Sequence, residues 1–515
     1  MTARRQRRRP LVAIAMVCAL VTLLSGCVGS FLPTATPRPT STPTGETVDA
    51  ALEPFYSQVL VWTSCEAGDY QCATAKAPLD WSDPGRASID LALIRKAASG
   101  TPIGSLLVNP GGPGASGYDF IRDSLGTAVD SKLRDRFDIV GFDPRGVNHS
   151  SRVSCYTYPA ELDAYLFGIS PNPVGSDAWI ADQRASNKAF GQACLAHTGE
   201  LLGYVDTVSA ARDLDMLRAV LGDKKLNYLG YSYGTLLGAT YADLYPKKTG
   251  RLVLDGAVDP ATTEFDVTSV QAQGFESALR AYLKDCLGRD GCPFRGTVEQ
   301  SMASVGSLLR GLDTDPITAS DGRKLGGGAM FNAIILPLYN AENWKLLDDL
   351  FTDVKAGSAD YAMQLADAYY GRRGDGTYSD NSTEAFIAVN CLDYTSDSDV
   401  GAMRAKAAEL AKLAPVFGPE MAYGGIGCAD WPYPPTRTRG PITAEGSAPI
   451  LVVGTTNDPA TPYRWAKSLA GELANGHLLT YTGEGHTAYN KSSCVNKIVD
   501  AFLVDGTVPS GSPRC

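Results

Sequence analysis

The stretch Gly230-Tyr231-Ser232-Tyr233-Gly234 sets a serine between two glycines. A serine hydroxyl becomes a useful nucleophile only when a base takes its proton. Residues 225–229 before it read as a short strand, and 235–242 after it as a helix. On so sharp a turn the hydroxyl is pushed clear of the backbone, and the flanking glycines relieve the crowding. The chemistry to look for is acyl transfer, with a base, an acid and two oxyanion donors supplied from elsewhere in the chain.

This elbow is the one used by α/β-hydrolases, whose chain order is serine, acid, histidine. The four histidines are His149, His197, His477 and His486. That order excludes the first two. His477 opens a strand, where its side chain packs or faces solvent. His486 follows that strand in a glycine-flexed loop, 482–487, and is the expected base. The acid belongs after the preceding strand, 449–454. Asp458 is the only acid of the loop that follows, 28 residues before His486. Thr461 and Pro462 read as a helix N-cap with proline at the first helical position, which would fix that loop.

The oxyanion needs two backbone N–H donors. Tyr233, the residue after the serine, is expected to give one. The loop Asn109-Pro110-Gly111-Gly112-Pro113-Gly114 is expected to give the other. Its prolines carry no N–H, and Gly112 is chosen from the three glycines. Asp143-Pro144-Arg145-Gly146 reads as a structural turn with Arg145 paired to a carboxylate. Asp206 reads as a helix cap, and Asp213 as part of a solvated helix face.

These residues need a scaffold. Strand-like runs bounded by turn residues recur at 89–96, 104–109, 137–143, 225–230 and 251–255, and return at 449–454 and 477–481. Several are apolar on both faces, as in a buried parallel sheet. Helical patterns cover 207–221 and roughly 493–503, and the stretch from about 260 to about 440 is mostly helix and loop. The chain is too long for one hydrophobic core. The expected architecture is α/β: an α/β-hydrolase sheet built from 49–259 and 446–515, with a largely helical lid inserted at 260–445.

The start of the chain reads as an export signal. Five arginines precede an apolar run from Pro10 to Leu24, and Ser25-Gly26-Cys27 follows. Basic, apolar, then small residues make a secretory leader, 1–26. The cysteine after it resembles a bacterial lipobox, so Cys27 is the expected lipidation site. The apolar run is shorter than the ~20 residues of a spanning helix. Residues 27–48, rich in threonine and proline, read as an extended tether. Removing the leader takes away five arginines and no acid, moving the formal charge from −10 to −15. That argues against nucleic acid as a partner and against charge-driven docking on anionic lipid. Ten cysteines remain, an even number in an exported chain, and neighbour pairing is the simplest arrangement: 65–72, 155–194, 286–292, 391–428 and 494–515. No Cys-x-x-Cys pair or His/Cys cluster suggests structural zinc.

Asn-Pro-Gly-Gly-Pro-Gly, Asp-Pro-Arg-Gly, Gly-Tyr-Ser-Tyr-Gly-Thr, Asn-Asp-Pro-Ala-Thr-Pro and Gly-Glu-Gly-His occur in that order. As a set they resemble the secreted bacterial tripeptidyl aminopeptidases, prolyl-aminopeptidase-like serine peptidases with a TAP-like C-terminal region. The likeness covers roughly 52–515. It implies Ser232 as nucleophile, Asp458 as acid and His486 as base. It implies release of short peptides, tripeptides, from free N-termini through an acyl-enzyme, with no metal or organic cofactor. The expected protein is a monomer on the bacterial cell surface, held to the membrane by its N-terminal lipid alone. One departure is Gly146-Val147-Asn148, where a second glycine is common. An aminopeptidase must also bind the substrate's ammonium, which needs a carboxylate in a partly desolvated site. Asp393 is the candidate, with Glu264 and Glu342 as others. Two further readings stay open: hydrolysis of carboxylic esters by the same triad, and a non-catalytic surface binding protein on a hydrolase scaffold.

Overall fold

Strands that are apolar on both faces must lie inside a covered sheet. The computed structural model describes residues 39–515 except 397, and residues 40–515 form one unit. Its strands are β1 (Thr63–Cys65), β2 (Tyr70–Pro78), β3 (Ser88–Lys96), β4 (Ser105–Asn109), β5 (Asp138–Phe142), β6 (Leu226–Tyr231) and β7 (Thr249–Asp255). β8 (Ile317–Thr318) and β9 (Lys324–Leu325) form a small separate pair, and β10 (Ile450–Asn457) and β11 (Gly476–Glu484) complete the set. Nine strands make one sheet in the order β1-β2-β3-β5-β4-β6-β7-β10-β11.

From β5 to β11 neighbours run parallel. The run at 89–96 does not join them in direction: β3 is antiparallel to both β2 and β5. The hairpin β1–β2 has no counterpart in the sequence reading. β2 carries four alanine and lysine residues in Ala-Thr-Ala-Lys-Ala, which are weak strand formers, so pairing with β3 rather than propensity makes it a strand.

Alternate residues of the central strands enter two different cores. Leu107, Val140, Tyr228, Leu252 and Val452 point to one side, while Val108, Ile139, Leu229, Val253 and Val453 point to the other. A third core, from Phe275 to Phe417, belongs to the helices between β7 and β10. The helix Ser382–Asp393 leaves that set and packs Ala388, Val389 and Leu392 into the sheet core. Among the described residues no helix is long and apolar enough to cross a membrane.

Five disulfides join sequence neighbours: Cys65–Cys72, Cys155–Cys194, Cys286–Cys292, Cys391–Cys428 and Cys494–Cys515. The leader and Cys27 lie outside the described residues. Residues 40–48, read as tether, are pinned to the fold. The Ser41 and Thr44 N–H groups donate to the carbonyls of Leu60 and Ala219, each at 2.9 Å. Glu46 accepts from the buried guanidinium of Arg218 at 2.8 Å and from Lys248 at 2.7 Å. Arg218 is shared between buried Asp215, at 2.9 Å, and Glu46, so the segment is tied to the fold by an ion pair.

Candidate active site

β6 ends at Tyr231, and the helix Tyr233–Leu244 begins two residues later. Ser232 sits between them with φ 54° and ψ −125°, a strained conformation for a side-chain-bearing residue. A Cβ at Gly230 would lie 2.5 Å from the Gly234 carbonyl oxygen, and one at Gly234 would lie 2.8 Å from Asn109 Oδ1. Both glycines are therefore demanded by close approach, as the sequence reading supposed. The Ser232 N–H donates to the Asp255 carbonyl at 2.9 Å, tying the turn to the end of β7.

Asp458 and His486 leave the ends of β10 and β11 and meet. His486 Nδ1 lies 2.9 Å from each carboxylate oxygen of Asp458. Asp458 is buried and also accepts from the N–H groups of Ala460 and Thr461, both at 2.9 Å, and of Thr487 at 3.2 Å. A carboxylate on Nδ1 directs the imidazole's free lone pair to Nε2, the atom through which such an imidazole can accept a proton. The Ser232 hydroxyl makes no hydrogen bond to His486 among the described residues, and such contacts commonly tighten only when substrate binds.

Two further residues hold this pair, and the sequence reading assigned neither role. Thr461 was read as a helix cap. Instead Pro462 precedes the helix Tyr463–Glu472, and the Thr461 hydroxyl lies 3.1 Å from Asp458 Oδ2 and 3.2 Å from His486 Nδ1. Asp255 is fully buried, and burial pushes its carboxyl up to about 6. It accepts from the N–H groups of Ala488 at 3.0 Å and Tyr489 at 2.8 Å, so it grips the loop that carries His486. The one signal for it was an acid at a strand's C-terminal end, where α/β sheets build their sites.

The glycine loop after β4 runs beside the elbow. A Cβ at Gly111 would lie 2.9 Å from that of Ser232, and the Gly111 N–H is already committed to Asn109 Oδ1 at 3.0 Å. Gly112 lines a cavity of about 300 Å³ together with Ser232 and Tyr233. Leu236, Val258, Val267 and Trp465 make it largely apolar, and Glu264 is its one formally charged lining residue among those described. The Glu264 carboxylate accepts from Thr268 Oγ1 at 3.4 Å. A larger cavity of about 830 Å³ lies in the helical region between Phe167 and Tyr423 and contains none of these residues, so size does not locate the chemistry.

Asp393 is not at this cavity. It is 1% exposed and accepts from the Thr207 N–H at 3.0 Å and from the Thr207 hydroxyl. That hydroxyl is also 2.5 Å from the Tyr233 phenol. Asp393 thus satisfies an orphan N–H at a helix start and steadies the residue after Ser232. Glu342, in the short turn Ala341–Asn343, is also absent from the cavity lining. Asp213 is not on a solvated face either: it is buried and holds Arg145 in two hydrogen bonds of 2.7 Å. The remaining Arg145 donors reach the carbonyls of Pro78, Leu79 and Tyr204, so the Asp-Pro-Arg-Gly turn is structural. Asp206 does cap its helix, accepting from the Ser209 N–H at 2.9 Å.

Comparison with known proteins places the chain in a family. Residues 104–311 match the model for the alpha/beta hydrolase fold, and 414–515 match that for TAP-like proteins. Serine protease Hip1 of Mycobacterium tuberculosis is 36% identical over 489 residues, covering 90% of this chain and 92% of that protein. This chain belongs to the TAP-like family of α/β-hydrolases. It is a serine hydrolase. A carboxylesterase B of Mycobacterium tuberculosis is also 36% identical, with 99% of both chains covered. A tripeptidyl aminopeptidase of Streptomyces lividans is 29% identical, with 88% of this chain and 86% of that one covered.

Proposed function

We propose that this serine hydrolase is an exported peptidase that releases short peptides, tripeptides, from free amino termini. Ser232 Oγ attacks the peptide carbonyl while His486 Nε2 takes its proton, and Asp458 holds the imidazolium that forms. The Gly112 and Tyr233 N–H groups receive the oxyanion. His486 then passes the proton to the leaving amine, and the C–N bond breaks. Water, deprotonated by the same imidazole, releases the acyl group as a carboxylic acid and restores the serine.

One observation carries the exopeptidase reading: the lining of the cavity beside Ser232 includes a carboxylate, Glu264. A carboxylate in the lining can share in binding a peptide's terminal ammonium. The peptidase names among the relatives support it. The test is a pair of chromogenic tripeptide amides, one with a free amine and one acetylated, with Ser232→Ala as blank. The free amine should be strongly preferred, and Glu264→Gln should lower its kcat/KM at least about tenfold. Equal rates on the two substrates would remove the exopeptidase reading.

A second reading is ester hydrolysis. The apolar walls Leu236, Val258, Val267 and Trp465 suit an acyl chain, and one relative is named a carboxylesterase. Cleavage of a short acyl ester without cleavage of either peptide would establish it. Export and a lipid at Cys27 complete the proposal. Cys27→Ala should move the protein from the detergent phase to the aqueous phase on partitioning; no shift would remove the anchor.

A further inference from the structure

The cleft does not end at Ser232. A second chamber of about 490 Å³ shares Gly112, Pro113, Tyr165, Phe386 and Ile387 with the first. Its remaining walls include Asn187, Asn332, Tyr339, Tyr369 and Tyr370. Among the described residues no charged side chain lines it, in contrast to the first chamber with Glu264.

The position of His486 orients the two chambers. The leaving amine must depart on the side of the group that protonates it. Tyr339, a wall of the second chamber, accepts the His486 backbone N–H at its carbonyl at 2.8 Å. Its ring also meets the imidazole edge-on, with centroids 5.5 Å apart. From this geometry we infer that the second chamber is the leaving-group subsite, shaped for an uncharged or aromatic peptide residue just after the cleaved bond. This rests on the peptidase reading and adds where the discarded part of the substrate lies.

The chemistry of the walls selects the occupant. The Tyr165 hydroxyl donates to Asn187 Oδ1 at 2.9 Å, and Asn332 Nδ2 donates to the Tyr370 hydroxyl at 2.5 Å. These four polar groups are thus held in pairs, and the tyrosines offer faces and edges for an aromatic side chain. An ion entering would lose water and find no counter-charge. The volume lies within the range of ordinary ligand pockets. Part of this chamber comes from the helices Pro159–Leu166 and Asp177–Thr198, which lie outside the span 260–445 read as lid.

The experiment uses the intact enzyme and longer peptides that share one free-amine tripeptide unit. Phe, Lys or Asp follows the scissile bond, and the tripeptide arylamide is run beside them. The expected result is a kcat/KM for Phe at least about tenfold above those for Lys and Asp. In Asn187→Asp, a nearly isosteric change that adds a carboxylate, the Lys-to-Phe ratio should rise about tenfold. The ratio is read within each protein, so loss of folded enzyme cancels. Equal cleavage of Phe, Lys and Asp peptides, with the arylamide cleaved, would overturn the subsite and leave the peptidase reading standing. A ratio unmoved by Asn187→Asp would overturn it too. Cleavage of esters only would remove the peptidase reading, and the inference with it.

Discussion

Asp458 is held by three backbone N–H groups and the Thr461 hydroxyl while it faces His486. That setting keeps the carboxylate fixed as the imidazole gains and loses its proton. Asp458→Asn should lower kcat by about 10⁴, as when the orienting acid of such a triad is replaced and the wrong tautomer results. Thr461 tests how much the positioning is worth. Thr461→Val removes a hydroxyl bonded to an ionised group, a loss of about 1.5–3 kcal/mol. The expected result is kcat down at least about tenfold with KM little changed, and recovery in Thr461→Ser. Steady-state kinetics on the free-amine substrate would read both. Neither Thr461's role nor Asp393's was legible beforehand. A threonine before a proline has the same spelling as a cap and as a partner of an acid. A helix-borne aspartate shows its face only once the helix has docked.

At the scale of elements, the site is held by strand ends. The end of β7 does two jobs through Asp255: its carbonyl receives the Ser232 N–H, and its carboxylate receives the loop after His486. Ser232 and the His486 loop are thus registered on one residue between them. Asp255→Asn places an N–H₂ against backbone donors, and an unmatched buried donor costs about 1–3 kcal/mol. Chemical denaturation should show that loss. Turnover should fall with KM kept, because the base loop shifts while the chambers do not. Normal kcat in a destabilised variant would show that Asp255 is structural only. Much of this level was readable. Central strands are apolar on both faces; the loops bearing Ser232 and Asp458 follow two of them, and the loop bearing His486 follows the edge strand β11. The hairpin β1–β2 was not readable, because its alanines become strand only through pairing with β3. The direction of β3 is likewise a property of its neighbours rather than of its residues.

At the scale of the whole molecule, the fold buries acids. Burial pushes Asp223, Asp255 and Asp393 up to about 6, and Glu384 and Glu420 up to about 7. Their ordinary values lie near 4. Between about pH 4 and 7 the folded chain therefore holds more protons than the unfolded one, and stability falls as pH rises through that window. His149 adds the same sign: Asp119 raises it, and its contribution is lost as pH rises. The melting temperature should be higher at pH 5 than at pH 7, and the reverse order would contradict this balance. The N-terminal segment shows electrostatics at the same scale. Composition marks 40–48 as an extended tether, while Glu46 in it pairs with Arg218, which Asp215 also holds.

The most direct test of the site is covalent. A fluorophosphonate probe labels a serine only where a base and oxyanion donors activate it. Folded protein would be labelled and the modified residue mapped by mass spectrometry, beside Ser232→Ala and His486→Ala. The expected result is one label on Ser232, none in Ser232→Ala, and little in His486→Ala. A label on another residue, or no label on folded wild-type protein, would contradict the assignment of Ser232 and His486.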